Sequence, residues 1–225
     1  MAYRETERMR IRKAEVRQRI LDHTLQIVST SGFRDAHVTS IATAARVATG
    51  SIYRHFESKE ALFAEVFRNA AQTELEKVAD ALSSDGPADV RLARSIHRFG
   101  RRAMRAPGLA WSLIAEPVDP ALEAERLDYR HNFAALLRIA IEEGIREGIL
   151  PSQAAGPAST CVVGSIAQSL LKPLIKTRDH SSLHTSDERL ALINDIVSFC
   201  MRGLGSSRSD FRHTSRLLEM ELSDA

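Results

Sequence analysis

Apolar residues recur at three- and four-residue spacings along most of this 225-residue chain. That spacing places them on one face of an α-helix. Sustained alternation of polar and β-branched residues, which is typical of strands, does not occur in the sequence, and aromatic residues make up only 5% of it. The pattern therefore predicts an all-α fold.

The apolar spacing predicts a first helix over residues 13–31, with Gly32 after its end. Two short helices, 38–45 and 49–56, follow it, and Ser58 caps a longer helix that ends before 83–87. The next predicted helix has an apolar stripe over Leu92–Ala103 and is ended by Pro107, and a short helix lies around Trp111. Longer helices are predicted over 120–148 and over 156–171, the second ended or kinked by Pro173, and one more helix follows them. Thr185 and Glu188 form a predicted capping box for that last helix, which is expected to bury Phe199 and its apolar neighbours.

Length and composition exclude several classes of protein. With 225 residues the chain can bury a large core without a metal or a disulfide. Its two cysteines, Cys161 and Cys200, have no zinc or redox spacing, which favours a reduced, cytoplasmic setting. The N-terminus lacks the apolar core of a signal peptide, and the uncharged run 149–171 is too polar and broken to predict a membrane span.

Positive charge is concentrated at the front of the chain. The formal net charge is +2, but residues 1–60 carry +4 and the remainder carries −2. Seven Arg or Lys residues lie within residues 1–19, beside three Glu. A basic front hints at an anionic partner, although a charge run is more often a solvated face.

Two short helices behind a longer one predict a helix-turn-helix. Val47, Ile52 and Phe56 are expected to anchor the inner side of the second short helix. Small residues at 49–51 would let its backbone approach the edges of DNA bases, and 53–55 (Tyr, Arg, His) are outward candidates. Its N-terminus would also present free N–H groups to phosphates.

Specific residues then indicate a family. Phe33, 38–42 (VTSIA), Val47 and above all 50–62 (GSIYRHFESKEAL) resemble the TetR family of bacterial transcriptional regulators. The Tyr-x-His-Phe-x-x-Lys-x-x-Leu spacing of residues 53–62 is the most specific part. The resemblance covers residues 16–66, and beyond them only the helical architecture and length are similar.

The resemblance implies roles for individual residues in DNA binding. Tyr53, His55 and Lys59 match positions that contact the DNA backbone, with Lys59 on a phosphate. The groove-facing part of the recognition helix would hold Thr49, Gly50, Ser51 and Arg54, and Thr39 would lie near the backbone. The basic arm Arg4–Arg12 is similar to extensions that reach the minor groove in some members. Alternatives remain open: Tyr53 could also pack its ring in the core, and His55 could be merely exposed.

Two positions depart from the family pattern. Arg46 stands where a turn glycine is common, and positive φ at a non-glycine residue costs about 1–2 kcal/mol. Either the turn differs or local contacts compensate. Residues 36–37 (Ala-His) replace the usual threonine cap of the second helix, which leaves Asp35 or Thr39 as candidate caps.

The second part of the chain is expected to bind an effector and to dimerise. Candidate effector contacts are His97, Phe99, Met104, Trp111, Tyr129 and Phe133. The plainer interpretation is that these aromatics are core and that His97 is a hydrogen-bonded structural histidine. Arginines at 91, 94, 98, 101 and 105 form one helix face, interpreted as solvated and ion-paired, or alternatively as recruiting an anion. Small residues in 156–171 predict a close four-helix dimer interface with the last helix.

These inferences predict four regions: a basic arm over 1–12, a helix-turn-helix domain over 13–60, a ligand-binding and dimerisation domain over 61–204, and a tail over 205–225. The predicted function is a homodimeric repressor that a small apolar or amphiphilic effector releases from a palindromic DNA operator. An activator or a ligand-independent DNA-binding protein would use the same motif, and a protein-interaction module without DNA is a further alternative. His97, Asp128, Ser165 and Cys161 lie in no catalytic motif, so no enzyme, cofactor or metal is predicted.

Overall fold

The computed structural model describes residues 7–178 and 185–207, and within them it contains helices and no strand. The predicted all-α fold is confirmed. The helices are α1 (Glu7–Ser31), α2 (Val38–Ala45), α3 (Thr49–Ile52), α4 (Lys59–Leu82), α5 (Ala88–Arg105), α6 (Pro107–Ile114), α7 (Pro120–Arg146), α8 (Ala155–Arg178) and α9 (Ser186–Gly203).

The first three helices and the start of α4 form a small unit, here called the head. Ile20, Ile41, Ile52 and Leu62 are fully buried in it, one from each of its four helices. Burying four such side chains contributes about 6–12 kcal/mol by apolar transfer alone. The α2–α3 pair is too short to be stable in isolation. Its geometry is therefore set by packing on α1 and α4.

The remaining helices, α5–α9 with the second half of α4, form the body. Its core is built from residues of α4 to α9, and includes Leu92, Leu137, Ile141, Ile166 and Leu170. The helix α4 runs without a break from the head into the body. The helix α6 packs on both α1 and α8, so it provides a second connection between head and body.

The helix α1 begins at Glu7, six residues before the predicted start. Glu7 lies in the first turn, where a carboxylate complements the positive end of the helix dipole, and it pairs with Arg10 at 2.6 Å. Residues 7–12 are thus helical rather than a separate arm. The rest of the predicted arm, residues 1–6 with Arg4, lies outside the described residues, as does the tail from 208 onward.

The turn between α2 and α3 adopts the left-handed conformation at Arg46, with φ 55° and ψ 48°. The Arg46 N–H bonds to Thr43 O at 3.1 Å and the Val47 N–H to Ala42 O at 3.0 Å, which are the local contacts that offset the strain. The N-cap of α2 is His37, whose side chain makes no capping hydrogen bond. Neither Asp35 nor Thr39 therefore occupies the cap position.

The short helix α3 ends at Ile52, four residues before its predicted end, and a turn follows. Ser58 Oγ accepts a hydrogen bond from Ala61 N at 3.1 Å, so the predicted cap of α4 is confirmed. The capping box of α9 is also confirmed, because Thr185 and Glu188 exchange both backbone hydrogen bonds.

The predictions for α8 and α9 are wrong in two places. Pro173 lies inside α8, which continues to Arg178, so of the two predicted outcomes an end of the helix at the proline is wrong. Phe199 is not buried: 59% of it is exposed, since it points away from the α5 side of α9. Among the described residues one stretch, Ala155–Ile175, has the length and apolarity of a membrane span. A single such helix is weak support for a membrane protein, because core helices of soluble proteins have the same composition.

Candidate nucleic-acid interface and effector cavity

The helix α3 is anchored on one side and open on the other. Ile52 is fully buried and Phe56 is 4% exposed. Thr49, Gly50 and Arg54 are exposed, and Ser51 is half-buried. The N-terminus of α3 has no side-chain cap; the Ser51 N–H bonds to Ala48 O at 2.8 Å, and the N–H groups of Thr49 and Gly50 remain available to an acceptor outside the chain. This is the surface that a phosphate or a base edge could approach.

The fold does not require a glycine at position 50. The φ of Gly50 lies outside the left-handed region, and a Cβ built on it would have no neighbour within 4 Å. The fold itself would therefore accept alanine at this position. The missing side chain matters only to something that approaches α3 from outside.

Tyr53 and His55 follow α3 on the same surface. Tyr53 is 51% exposed, so its ring is not a core residue. His55 is half-buried, and its Nδ1 has no hydrogen-bond partner among the described residues. Burial, followed by the positive charges of Lys13 and Arg17, lowers the pKa of His55. The ring is therefore neutral at pH 7 and keeps one acceptor and one donor nitrogen.

Lys59 is the first residue of α4, where its ammonium adds to the positive end of the helix dipole. The ammonium lies 4.9 Å from the centroid of the Phe63 ring, a cation–π distance that holds the side chain against the head. Thr39 is exposed on α2 nearby in sequence. The predicted DNA contacts thus come from the surface of the α2–α4 unit.

Other basic residues of the head brace the fold. Arg17 pairs with Glu65 of α4, and its guanidinium lies 4.7 Å from the centroid of the Phe56 ring. Arg19 donates to Ala45 O at 3.0 Å, at the end of α2. These contacts fix α2 and α3 against α1 and α4.

Aromatic rings connect the head to the middle of the body. Phe33 packs edge-on against Phe63 at 5.4 Å between centroids and lies 6.1 Å from Phe67. Phe67 contacts Tyr129 at 6.4 Å. The chain of rings continues from Tyr129 to Phe133 at 6.4 Å and from Phe133 to Phe99 at 5.1 Å.

Two small cavities lie at the body end of this chain of rings. One, of about 30 Å³, is lined by Phe99, Leu113, Ile114 and Tyr129 with the Glu74–Arg102 pair. The other, of about 20 Å³, shares those four apolar side chains and adds Phe133, Arg130 and Ile166. Each holds about one water molecule, so the apolar centre is nearly closed. Burial raises the pKa of Tyr129, which keeps its hydroxyl protonated.

A larger cleft of about 710 Å³ opens between α6, α7 and α8. It shares Ile114, Arg130, Val163 and Ala167 with the smaller cavity. Its volume is in the range of small-molecule sites. Arg126, Arg130, His131 and Gln168 add polar groups to its wall.

Residues 20–66 match the model of the bacterial regulatory proteins of the tetR family. This match covers α2 and α3, the second half of α1 and the start of α4. The head of this chain is a TetR-family helix-turn-helix.

The relatives include the transcriptional regulator AcrR of Shigella flexneri, 41% identical over 28% of this chain and 31% of AcrR. The transcriptional repressor KstR2 of Rhodococcus jostii is 27% identical over 60% of this chain and 68% of KstR2. The chain thus spans about a third of the first relative's length.

Solved structures extend the likeness to the body, as a fold only. FadR of Bacillus subtilis, in complex with stearoyl-CoA, has a TM-score of 0.69 and 21% identity over 83% of this chain and 98% of FadR. RolR in complex with resorcinol has a TM-score of 0.65 and 16% identity over 90% of this chain and 94% of RolR. The fold of the head and of the helical body is therefore shared with these solved structures.

The predicted effector residues of the body divide into two groups. Phe99, Tyr129 and Phe133 meet at the apolar cavities. His97, Met104 and Trp111 line none of the three cavities. Met104 is core, and Trp111 is half-buried on α6.

His97 is fully buried, but neither ring nitrogen has a hydrogen-bond partner among the described residues. The interpretation of His97 as a hydrogen-bonded structural histidine is therefore wrong. Burial, with Arg101 and Arg98 nearby, lowers its pKa to about 4.

The sequence did not single out Arg130, Glu74 or Arg102 as cavity residues. A charged residue on an otherwise apolar helix face is the sequence feature that could have identified them. Two arginines of the α5 face brace the fold: Arg91 donates to Leu82 O at 2.8 Å and pairs with Glu143, and Arg94 donates to Ser84 and to Asp85 O. These bonds satisfy carbonyls after the end of α4.

Proposed function

We propose that the chain is a homodimeric, ligand-responsive repressor that binds a palindromic DNA operator in the cytoplasm and leaves it when a small amphiphilic effector binds the body. The observation that carries the DNA-binding part is the open face of α3, with uncapped N–H groups, a glycine that the fold does not need, and Lys59 beside it. KstR2, a relative over most of its length, is named a transcriptional repressor.

In this proposal Lys59, Tyr53 and His55 contact phosphates or sugars, and Thr39 lies near the backbone. Thr49, Gly50, Ser51 and Arg54 face the major groove. Phosphate contacts position the head, and base contacts select the sequence. Two heads related by a two-fold axis would then read two half-sites about one helical turn apart.

The cavities support an amphiphilic effector rather than a wholly apolar one. The aromatic centre would take an apolar group, and Arg130 lies where that centre meets the cleft. Arg130 is half-buried, and its hydrogen bond is to a carbonyl, Ile114 O at 2.8 Å, with no carboxylate partner among the described residues. An effector with a polar or anionic group beside an apolar one would match both. FadR in complex with stearoyl-CoA and RolR in complex with resorcinol are precedents for such a ligand on a protein of this fold.

Dimerisation is proposed on the α8–α9 face. Gly164 on α8 is exposed, and a Cβ built on it would have no neighbour within 4 Å, while Phe199 on α9 is 59% exposed. Ile175 on α8 is 41% exposed. A second copy would cover this apolar face and would account for the membrane-like composition of α8.

The closed apolar centre fits an effector that selects another conformer. Opening a cavity of one-water size to ligand size requires helices around it to shift, and differential affinity for the open conformer is enough to oppose DNA binding. A ligand-independent DNA-binding protein would not need such a cavity. An activator would share every feature described, and only the effect on transcription distinguishes it.

The experiment combines DNA selection with mass spectrometry of compounds that co-purify with the protein. Genomic fragments bound by the purified protein should share a palindrome, and a co-purified amphiphile should lower its affinity for them. Fragments without common sequence would contradict specific operator binding. An amphiphile that leaves operator affinity unchanged would favour the ligand-independent alternative, and one that raises transcription of the bound gene through tighter binding would favour an activator.

A further inference from the structure

A buried carboxylate joins the body to the head. Glu116 follows α6 and is 2% exposed. Its Oε2 accepts a hydrogen bond from Phe33 N at 2.9 Å, and its Oε1 accepts one from Arg34 N at 3.0 Å. Both amides lie just after α1, so one side chain of the body binds two backbone groups of the head. This contact is called the Glu116 clasp below.

The backbone on the head side of the clasp is shaped to admit it. Gly32 has φ +83°, and a Cβ there would collide with the Glu116 carboxylate. At the other end of α6, a Cβ on Gly108 would collide with Ser29 O of α1. Glycine at both positions therefore permits a close approach between α6 and the end of α1.

On the body side, two arginines of α7 hold the end of α6. Arg126 donates to Ser112 O at 3.2 Å, Leu113 O at 3.2 Å and Glu116 O at 2.7 Å. Arg130 donates to Ile114 O at 2.8 Å. Arg126 is 3% exposed and also pairs with Glu123, so its position is tightly determined.

The segment 112–116 therefore has the cavities on one side and the head on the other. Leu113 and Ile114 line both apolar cavities, and Arg126 and Arg130 line the cleft. Two residues later, Glu116 binds the head. A ligand that separates α6 from α7 must disturb the arginine–carbonyl bonds and thereby move Glu116.

We propose that Glu116 is a positioning residue that couples the body to the orientation of the DNA-binding head through the amides of Phe33 and Arg34. The regulatory part of this inference rests on the proposed function. Hydrogen bonds from N–H groups to a buried carboxylate are strong and depend on geometry, so a shift of α6 relative to the end of α1 weakens them. The ring of Phe33 also contacts Phe63 and Phe67 of α4, so a shift of segment 32–34 would change its packing on α4.

The first test needs neither DNA nor effector. Arg126→Gln removes the guanidinium that holds three carbonyls of segment 112–116. Amide hydrogen exchange of Phe33 and Arg34, measured by NMR relative to Ile41 and Leu62 in the head core, should rise about tenfold. Arg138→Gln is the matched control, because Arg138 is an exposed α7 arginine paired with Glu142. Arg130→Gln removes one carbonyl bond and should give a smaller rise.

Exchange at Phe33 and Arg34 that stays at the wild-type ratio to the core amides in both Arg126→Gln and Arg130→Gln would overturn the proposal. Loss of the whole fold in Arg126→Gln would be visible as faster exchange at Ile41 and Leu62 as well. In that case Arg130→Gln, which leaves Arg126 in place, decides the question.

The second test uses Trp111, the single tryptophan of the chain, which lies on α6. Binding of a genomic DNA fragment selected above should change Trp111 emission in the wild-type protein. In Glu116→Gln, whose amide NH₂ would face one of the two N–H donors, this change should fall to about half or less while DNA still binds. Glu142→Gln, on an exposed face of α7, should behave like the wild type.

Glycine variants give an independent check. Gly32→Ala and Gly148→Ala both place alanine at positive φ, +83° and +72°, but a Cβ at Gly148 has no neighbour within 4 Å. Only Gly32→Ala should reduce the Trp111 response. An unchanged response in Glu116→Gln and Gly32→Ala, with DNA bound, would overturn the clasp. Absence of DNA binding by the wild type would contradict the proposed function instead, and the exchange experiment would then decide on the clasp alone.

Discussion

The head and the body are both helical, but they present their sites in opposite ways. In the head, apolar side chains fix short helices and leave polar residues such as Thr49 and Arg54 open to solvent. In the body, the candidate site is a nearly closed centre where Phe99, Tyr129 and Phe133 pack on one another. The head is arranged to meet a large rigid partner, and the apolar centre of the body must change before a ligand can enter it.

Because of this difference, substitutions in the head and in the body have to be interpreted differently. An exposed residue of the head can be replaced with little effect on stability, so a lost function identifies its role. A residue of the body centre belongs to the core as well, so its replacement changes packing and function together. Tests of the body therefore need readouts other than activity.

The largest expected effect follows from the proposed dimer face. Gly164→Arg places a charge on the exposed α8 surface and should give monomers by light scattering. Operator affinity should fall about a hundredfold, because each head would then bind a half-site without its partner. Ile139→Arg is the control, on an α7 residue that is 53% exposed. Monomers from Ile139→Arg and dimers from Gly164→Arg would move the interface to α7.

The second effect concerns His97 in the body. Its pKa is about 4 in the fold and about 6.5 when unfolded, so the unfolded chain binds the proton first as pH falls. Stability contributed by the neutral ring is complete above pH 6.5 and is lost progressively toward pH 4. Between pH 7 and 5 the loss should be about 2 kcal/mol.

Urea unfolding at both pH values measures this loss, with His97→Leu as the comparison. Arg98 and Arg101 are the charged groups that disfavour protonation. The variant should lose about 2 kcal/mol less than the wild type over that interval. Equal losses in the two proteins would show that His97 is protonated in the folded state near pH 6.

These contrasts explain what the sequence could predict. The head is specified by local signals: Ser58 as a cap, Ile52 and Phe56 as anchors, and the 53–62 spacing all act within a few residues. The left-handed turn at Arg46 is harder to predict. The glycine that would indicate positive φ is absent, and the hydrogen bonds that offset the strain are visible only in the fold. Even there, α1 extends further and α3 is shorter than apolar spacing alone indicates.

The body depends on contacts between residues far apart in the chain. Phe99 and Phe133 touch, while His97, two residues earlier, lies away from the described cavities. Glu116 reaches Phe33 across 83 positions. No periodicity reveals such pairs, because a cavity wall, a clasp and a core have the same local composition. Apolar spacing predicts Phe199 as core on the same grounds, yet it is exposed in the single chain.

A smaller effect is expected for Lys59→Ala in the head. Removing one phosphate contact should lower operator affinity about tenfold and reduce the slope of log affinity against log salt by about one unit. Nonspecific DNA should lose affinity by a similar factor, since a phosphate carries no sequence. Lys77→Ala, an exposed lysine of the same helix, is the control. A loss confined to one operator base would instead indicate that Lys59 reads a base.

The smallest effect is expected for Gly50→Ala, which is also the most specific test of the DNA-binding surface of the head. Because the backbone there suits alanine and a Cβ meets no neighbour, the free energy of unfolding should rise by about 0.4–1 kcal/mol. Operator affinity should nevertheless fall, since the methyl group would occupy the space that a base edge approaches. Urea unfolding and fluorescence anisotropy measure the two quantities on the same sample. If both stability and affinity rise, α3 does not approach DNA through Gly50, and the contact surface lies further toward Tyr53 and Arg54.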